Sequence, residues 1–166
     1  MNENITIREI AASDYPVIKR IYEEGISSGN ATFEKTAPDW QQWDKHKLPF
    51  GRVAAVMNNV IIGWAALSAT SSREVYKGIC EVSIYISSAQ SGKGYGKILM
   101  SSLIEESEKN GVWTLYSSIF PENTASIKLH LNCGFREIGF MEKAGCMNGT
   151  WRNTVLFERR SRITGV

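Results

Sequence analysis

The chemistry-bearing residues gather in the middle of the chain. In EVSIYISSAQSGKGYGKILMSSLIEES, residues 81–107, three glycines alternate (Gly92, Gly94, Gly96), and Lys93 and Lys97 stand among them. Glycine costs conformational entropy on folding, so three together imply a backbone that must come close to something. A phosphate loop of the G-x-x-x-x-G-K-[ST] type would need glycine at 91 and Ser or Thr at 98, where Ser91 and Ile98 stand. A G-x-G-x-x-G dinucleotide fingerprint counted from Gly92 fails at Lys97. What remains is a strand, a glycine turn and the start of a helix. Backbone N–H groups and the helix dipole there suit an anion such as a pyrophosphate, and the two lysines add charge. The competing reading is a tight turn that needs glycine only for its angles.

Glu81 is the second candidate. It lies in the otherwise apolar run ICEVSIYI, residues 79–86. Period-two alternation puts Glu81, Ser83 and Tyr85 on one face and Cys80, Val82 and Ile84 on the other. A carboxylate there is either edge-exposed or functional, and burial would make it a better base. Arg73 and Tyr76 precede that strand, and a guanidinium matches a carboxylate or phosphinate through two parallel donors. A solvated loop arginine is the alternative. No His, Cys and carboxylate cluster has metal-ligand spacing, so no metal is expected. No Ser-His-Asp order or nucleophile elbow is visible. His46, in a polar helix, reads as surface. Cys80, Cys133 and Cys146 read as reduced thiols of a cytoplasmic protein rather than nucleophiles.

The elements needed to position these groups are legible. ITIREI (5–10) suggests a strand. Ser13 can cap a helix bearing Val17, Ile18, Ile21 and Tyr22, which Gly25 and Gly29 would end. Pro38-Asp39 opens a second helix, DWQQWDKH. Strands at 53–57 and 60–67 join at Asn58-Asn59 as a hairpin. A strand at 78–87 leads to the loop, and Met100, Leu103, Ile104 and Ser107 mark a helix that Gly111 ends. A strand at 114–120, a short helix at 123–133, and closing strands at 135–143 and 151–159 follow. The order β-α-α-β-β-β-α-β-α-β-β predicts a mixed α/β sheet with helices on both faces, in one domain over residues 1–166.

Composition excludes several classes. The chain has 43% hydrophobic and 22% charged residues, with nineteen basic against seventeen acidic side chains. That near balance argues against nucleic acid or an anionic membrane as partner. The N-terminus, with Glu3, Arg8 and Glu9, shows no apolar signal core. The longest apolar run, 53–67, is broken by Asn58-Asn59 and cannot span a bilayer.

SGKGYGKILM resembles the pyrophosphate loop, [QR]-x-x-G-x-[GA], of the GCN5-related N-acetyltransferase (GNAT) superfamily. NTASIKLHLNCGF (123–135) resembles that superfamily's later motif. ATFE (31–34), REVYKGICEVSIYI (73–86), SIKLH (126–130) and GTWRN (149–153) are similar to the phosphinothricin and methionine sulfoximine/sulfone acetyltransferase branch. The resemblance implies the GNAT fold, acetyl-CoA as donor and a homodimer. It gives the pantetheine arm to Ile84, Tyr85 and Ile86, and the pyrophosphate to Gly92, Lys93, Gly94, Tyr95, Gly96 and Lys97. Asn123 and Ser126 would hold the cofactor further on. The motif's first position, commonly Gln or Arg, is Ser91, with Gln90 one residue early. Asn153 stands where the branch has Asp, and no role is carried to it.

Transfer of acetyl from a thioester to an amine needs a base for the amine, a polarised carbonyl and a stabilised thiolate. The resemblance assigns the base to Glu81 and protonation of the thiolate to His130. A packed helix histidine is the alternative for His130. Phe33, Arg73, Glu74, Val75, Tyr76, Glu81, Val82 and Ser83 would bind the acceptor, with Arg73 gripping its acid group. The expected activity is acetylation of the α-amine of a small amino acid or analogue, in a detoxifying role. A protein N-terminal or polyamine acetyltransferase, or a non-catalytic CoA-binding sensor, are the alternatives.

Overall fold

A computed structural model describes residues 4–166; Glu3 and the two residues before it lie outside the described residues. The elements are β1 (Ile5–Glu9), α1 (Tyr15–Ser27), α2 (Trp40–His46), β2 (Val53–Met57), β3 (Val60–Ala69), β4 (Ile79–Ile86), α3 (Tyr95–Lys109), β5 (Thr114–Ile119), α4 (Thr124–Asn132), β6 (Arg136–Met147) and β7 (Thr150–Arg160). The strands form one sheet in the order β1-β2-β3-β4-β5-β7-β6. Among the described residues only β4 and β5 run parallel, joined by the α3 crossover.

The sheet is covered on both faces, as the element order predicts. Leu99, Met100 and Leu103 of α3 pack on Ala55, Ala65, Leu67, Cys80 and Leu115. Ile18 and Ile21 of α1 and Trp43 of α2 pack on Ala54, Val56, Trp64 and Ala66 from the other side. This explains why β2 and β3 read as continuous apolar runs: alternate residues serve two different cores. The β2–β3 turn is at Asn58-Asn59, both with positive φ (49° and 64°), as a tight hairpin of this twist requires.

Three details depart from the pattern in the sequence. The helix expected to be capped by Ser13 starts after Asp14, whose carboxylate is held by Arg8 and the Ala11 amide instead. It does not stop at Gly25. It runs to Ser27, because Gly25 is there for closeness: a Cβ would meet Tyr85 Cδ1 at 2.7 Å. The closing strands are longer than expected, since the chain turns at Asn148-Gly149, again with positive φ. Within β6 the register shifts between Met141 and Gly145, and Asn153 Oδ1 accepts the Lys143 amide at 2.8 Å to hold that irregularity.

The feature that matters most is a splay. β4 pairs with β5 only at Ile79–Thr114, Cys80–Leu115 and Glu81–Tyr116. Beyond Glu81 the strands part, while β4 stays paired with β3 up to Ile86 and β5 stays paired with β7 up to Ile119.

Candidate active site

The splay opens into a cleft of about 1010 Å³. Ser87 N donates to Ile62 O on the β3 side at 2.8 Å. Strand alternation then turns the backbone groups of Val82, Ile84 and Ile86 into the opening, with no β5 partner. Of the three residues expected to offer backbone to a pantetheine, Ile84 and Ile86 therefore face the gap. Tyr85 pairs with Trp64 instead, and its contribution is its ring, stacked on Trp64 at 4.9 Å and tilted against Tyr22 at 4.8 Å. Burial pushes the Tyr85 phenol far up, so it stays neutral.

At the far end of β4 the glycine loop divides its labour. Gly92 and Gly94 have φ of 77° and 87°, in the left-handed region, and a Cβ on either would meet nothing within 4 Å. They are glycine for conformation, and they leave bare backbone facing open space. Gly96 packs closely on α4, where a Cβ would lie 3.2 Å from the tip of the Leu129 side chain. Gly94 is the N-cap of α3, so no side chain covers that helix start. An anionic diphosphate fits this cradle of amides at a helix's positive end. Gly92, Gly94, Tyr95, Gly96 and Lys97 line the cleft, as do Gln90 and Ser91. Lys93 does not; its ammonium is turned back onto Gln90 Oε1 at 2.9 Å.

α4 closes the cleft opposite. Asn123 caps it, its Oδ1 accepting Ser126 N at 3.1 Å while its Nδ2 donates to Asn30 O at 3.0 Å. Arg152 of β7 donates to Gly29 O and Asn30 Oδ1, so the α1–α2 connection is clasped over the site from two sides. His130 is 2% exposed. Its Nδ1 lies 2.8 Å from the Ser126 carbonyl, which can only accept, so Nδ1 carries the proton. Nε2 is then the acceptor for the Ser117 hydroxyl at 2.9 Å. Burial lowers the imidazole's pKa, keeping it neutral. Nε2 has no proton to give in this state, so His130 acts as an acid only after taking one up.

The acceptor side lies on the α1–α2 face. Glu81 stands where the splay begins and lines the cleft, exposed rather than buried. Ser83 follows on the same face, and Phe33 forms a wall, its ring 4.7 Å from Phe120 and covered by Gly145, which has no Cβ to clash with it. Val82 also lines the cleft. Arg73, Glu74, Val75 and Tyr76 do not. The β3–β4 ladder ends at Ala69–Cys80, so residues 70–78 project past the end of the sheet. There Arg73 lies over the Tyr76 ring at 5.1 Å and Glu74 pairs with Lys77.

Two site residues have no signal in the sequence. Lys47, just after α2, reaches over the sheet to donate to Ser68 Oγ at 3.1 Å and Ser83 Oγ at 2.8 Å. Burial lowers its pKa to about 8, against the opposing pull of Glu81 and Glu34. Thr154 of β7 is 3% exposed, and its Oγ1 is a buried cleft-lining hydroxyl with no hydrogen-bond partner. Both side chains arrive through tertiary packing, which no local pattern announces. Among the described residues no three His, Cys, Asp or Glu side chains are grouped to hold a metal. Burial raises Cys80 to about 11 and also raises Cys133, which leaves both thiols protonated. No helix among the described residues is long and apolar enough to cross a membrane.

The family model described as "Acetyltransferase (GNAT) family" matches residues 6–135. The chain is 31% identical over 163 residues to the phosphinothricin N-acetyltransferase of Alcaligenes faecalis, covering 93% of this chain and 81% of that one. It is 30% identical over 152 residues to the L-methionine sulfoximine/L-methionine sulfone acetyltransferase of Pseudomonas aeruginosa, covering 88% of each. A crystal structure of a GNAT superfamily phosphinothricin acetyltransferase from Sinorhizobium meliloti, in complex with acetyl-CoA, superposes with a TM-score of 0.87. The identity is 30%, over 97% of this chain and 90% of that one.

Proposed function

We propose, from the premise that this chain belongs to the acetyltransferase (GNAT) family, that it is an N-acetyltransferase moving acetyl from acetyl-CoA to the α-amine of a small amino acid. Phosphinothricin, methionine sulfoximine and methionine sulfone are the leading acceptors, since they are named for relatives about 30% identical to it. One observation carries this reading. The open backbone edge of Val82–Ile86 runs from the amide cradle at Gly92–Gly94 to Glu81, within one cleft. A donor held at the cradle by its diphosphate lays its arm along that edge and presents its thioester beside the carboxylate.

Each residue then has a task. The amide cradle and Lys97 bind the diphosphate. The inward backbone groups of Val82, Ile84 and Ile86 hydrogen-bond the arm and fix the thioester carbonyl. Glu81, directly or through water, takes the proton from the acceptor's α-ammonium, the form that predominates at neutral pH. The freed nitrogen forms its bond to the carbonyl carbon, the carbon–sulfur bond breaks with its electron pair on sulfur, and the nitrogen's second proton ends on that thiolate, which leaves as the thiol. Ser117 Oγ lies on the cleft wall with its one O–H donating to His130 Nε2, so it stabilises the thiolate only by turning that O–H from Nε2 to the sulfur. Phe33 and Phe120 enclose the acceptor.

The same reading gives the enzyme a detoxifying role in the cytoplasm, supported by three free cysteines. It also makes the enzyme a homodimer. Ile138, Phe140, Met141 and Trp151 expose apolar surface on the outer strand pair, Trp151 at 61%. A contact of Arg73 and Tyr76 with acceptor would have to be made in a neighbouring protomer's cleft, because they stand outside their own. The test is thiol release from acetyl-CoA over a panel of amines, with products identified by mass spectrometry. The reading expects release with the three amino-acid analogues and an N-acetyl product. Release only with peptides or polyamines, or cofactor binding without release, overturns it.

A further inference from the structure

We infer that Lys47 is the residue that selects an acceptor carrying an acid group: its ammonium, presented by Ser68 and Ser83, takes the acceptor's α-carboxylate while Glu81 faces the α-amine. The inference rests on the amino-acid reading above and deepens it by assigning specificity to a side chain outside every sequence motif.

Three observations carry it. First, the Lys47 ammonium lines the same cleft as Glu81, and two serine hydroxyls fix it in place. Ser68 is the direct cross-strand neighbour of Glu81, so the cation and the carboxylate stand over adjacent positions of one sheet face. Second, no carboxylate touches this cation among the described residues. Its two hydrogen-bond partners are neutral, and none of the ion pairs among the described residues includes it. An ammonium has three N–H donors, and two are used among the described residues. A tie that merely fastened α2 to the sheet would not need a charge. Third, a carboxylate and an ammonium stand side by side in the cleft, with Glu34 a second carboxylate that lines it. Glu81 and Glu34 supply the negative field at Lys47, with Arg52 the other cation that acts on it. An α-amino acid places its ammonium and carboxylate on one carbon, so it can meet Glu81 and Lys47 together. A polyamine would set a second cation against Lys47.

Arg73 was the sequence-based candidate for this task, but it projects beyond the sheet. Lys47 is the cation that a single protomer brings to the acceptor side.

The test compares L-methionine sulfone with its carboxamide, which keeps the amine and side chain and lacks the negative charge. Wild type, Lys47→Met and the charge-preserving Lys47→Arg are assayed for thiol release, and acetyl-CoA affinity is measured by calorimetry to report an intact fold. In Lys47→Met the kcat/KM for the acid should fall at least tenfold, mainly through KM. The carboxamide should change less than about threefold, and acetyl-CoA affinity should stay within twofold. Lys47→Arg should keep the preference for the acid. Equal losses on acid and carboxamide, or a loss confined to kcat, overturn the inference and leave the amino-acid reading standing. A wild type that acetylates neither compound overturns both.

Discussion

Replacing Lys47 by methionine should make the protein more stable and a poorer enzyme. The fold lowers the Lys47 pKa from 10.5 to about 8, with burial the largest cause and Arg52 a smaller one, while Glu81 and Glu34 oppose the shift. A drop of that size corresponds to about 3 kcal/mol by which the fold disfavours the protonated side chain. Methionine fills a similar volume without the charge. It also forfeits hydrogen bonds to Ser68 and Ser83, each worth about 1 kcal/mol. A net gain of about 1–2 kcal/mol at pH 7 is expected, or roughly 3–6 °C in Tm for a chain of this size. The pH dependence gives the sign. Between about pH 8 and 10.5 the unfolded chain holds the Lys47 proton and the folded protein has released it, so wild type gains stability as pH rises through that window. Lys47→Met lacks the group, so its advantage should shrink steadily toward pH 10. Chemical denaturation of both proteins at pH 7, 8.5 and 9.5 measures this. A variant less stable than wild type at pH 7, or an advantage that does not change with pH, would refute the reasoning. A residue kept at such a cost is what a binding site demands.

Other outcomes follow from the same geometry. Gly94→Ala meets no steric obstacle but must hold a left-handed φ of 87°, so it should lose about 1 kcal/mol of stability and weaken acetyl-CoA binding by disturbing the cradle; calorimetry would show otherwise if affinity were unchanged. Asn123→Ala removes both the α4 cap and the tie to Asn30, and should lower stability by about 1–2 kcal/mol in denaturant titrations; no change would mean that the clasp is idle. His130 should titrate below 6.5 by NMR with its proton on Nδ1. Because the unfolded chain then takes up that proton first, acidification below pH 6.5 should cost stability. A titration above 6.5 would restore His130 as a ready acid.

The glycine loop, the crossover helix and the order of all eleven elements could be read from the sequence because each rests on local chemistry: turn residues, caps and apolar period. The left-handed Gly92 and Gly94 belong to that class, as does the Asn58-Asn59 turn. Gly25 and Gly96 do not. At Gly25 the ring of Tyr85, from elsewhere in the chain, comes too close for a Cβ, and at Gly96 a Cβ would press on the tip of Leu129. Glu81 was legible because a charge interrupts an apolar strand. Lys47 and Thr154 were not, because each reaches the cleft from an unremarkable segment only after α2 and β7 have docked. Arg73 is a residue type suited to binding an acid group, and it stands on residues 70–78, beyond the end of the β3–β4 ladder and outside the lining of its own protomer's cleft. The point where β4 and β5 part was not legible, since nothing in either strand taken singly says where their pairing stops.

The central claim is that an amine loses its proton to Glu81 at the mouth of the splay. The most direct measurement is turnover of Glu81→Gln at saturating acetyl-CoA and methionine sulfone, with acetyl-CoA affinity measured on the same preparation. The account predicts a kcat lowered by about a hundredfold or more and an acetyl-CoA affinity within twofold of wild type. A kcat within a few-fold of wild type, or a loss of affinity as large as the loss of rate, would contradict it.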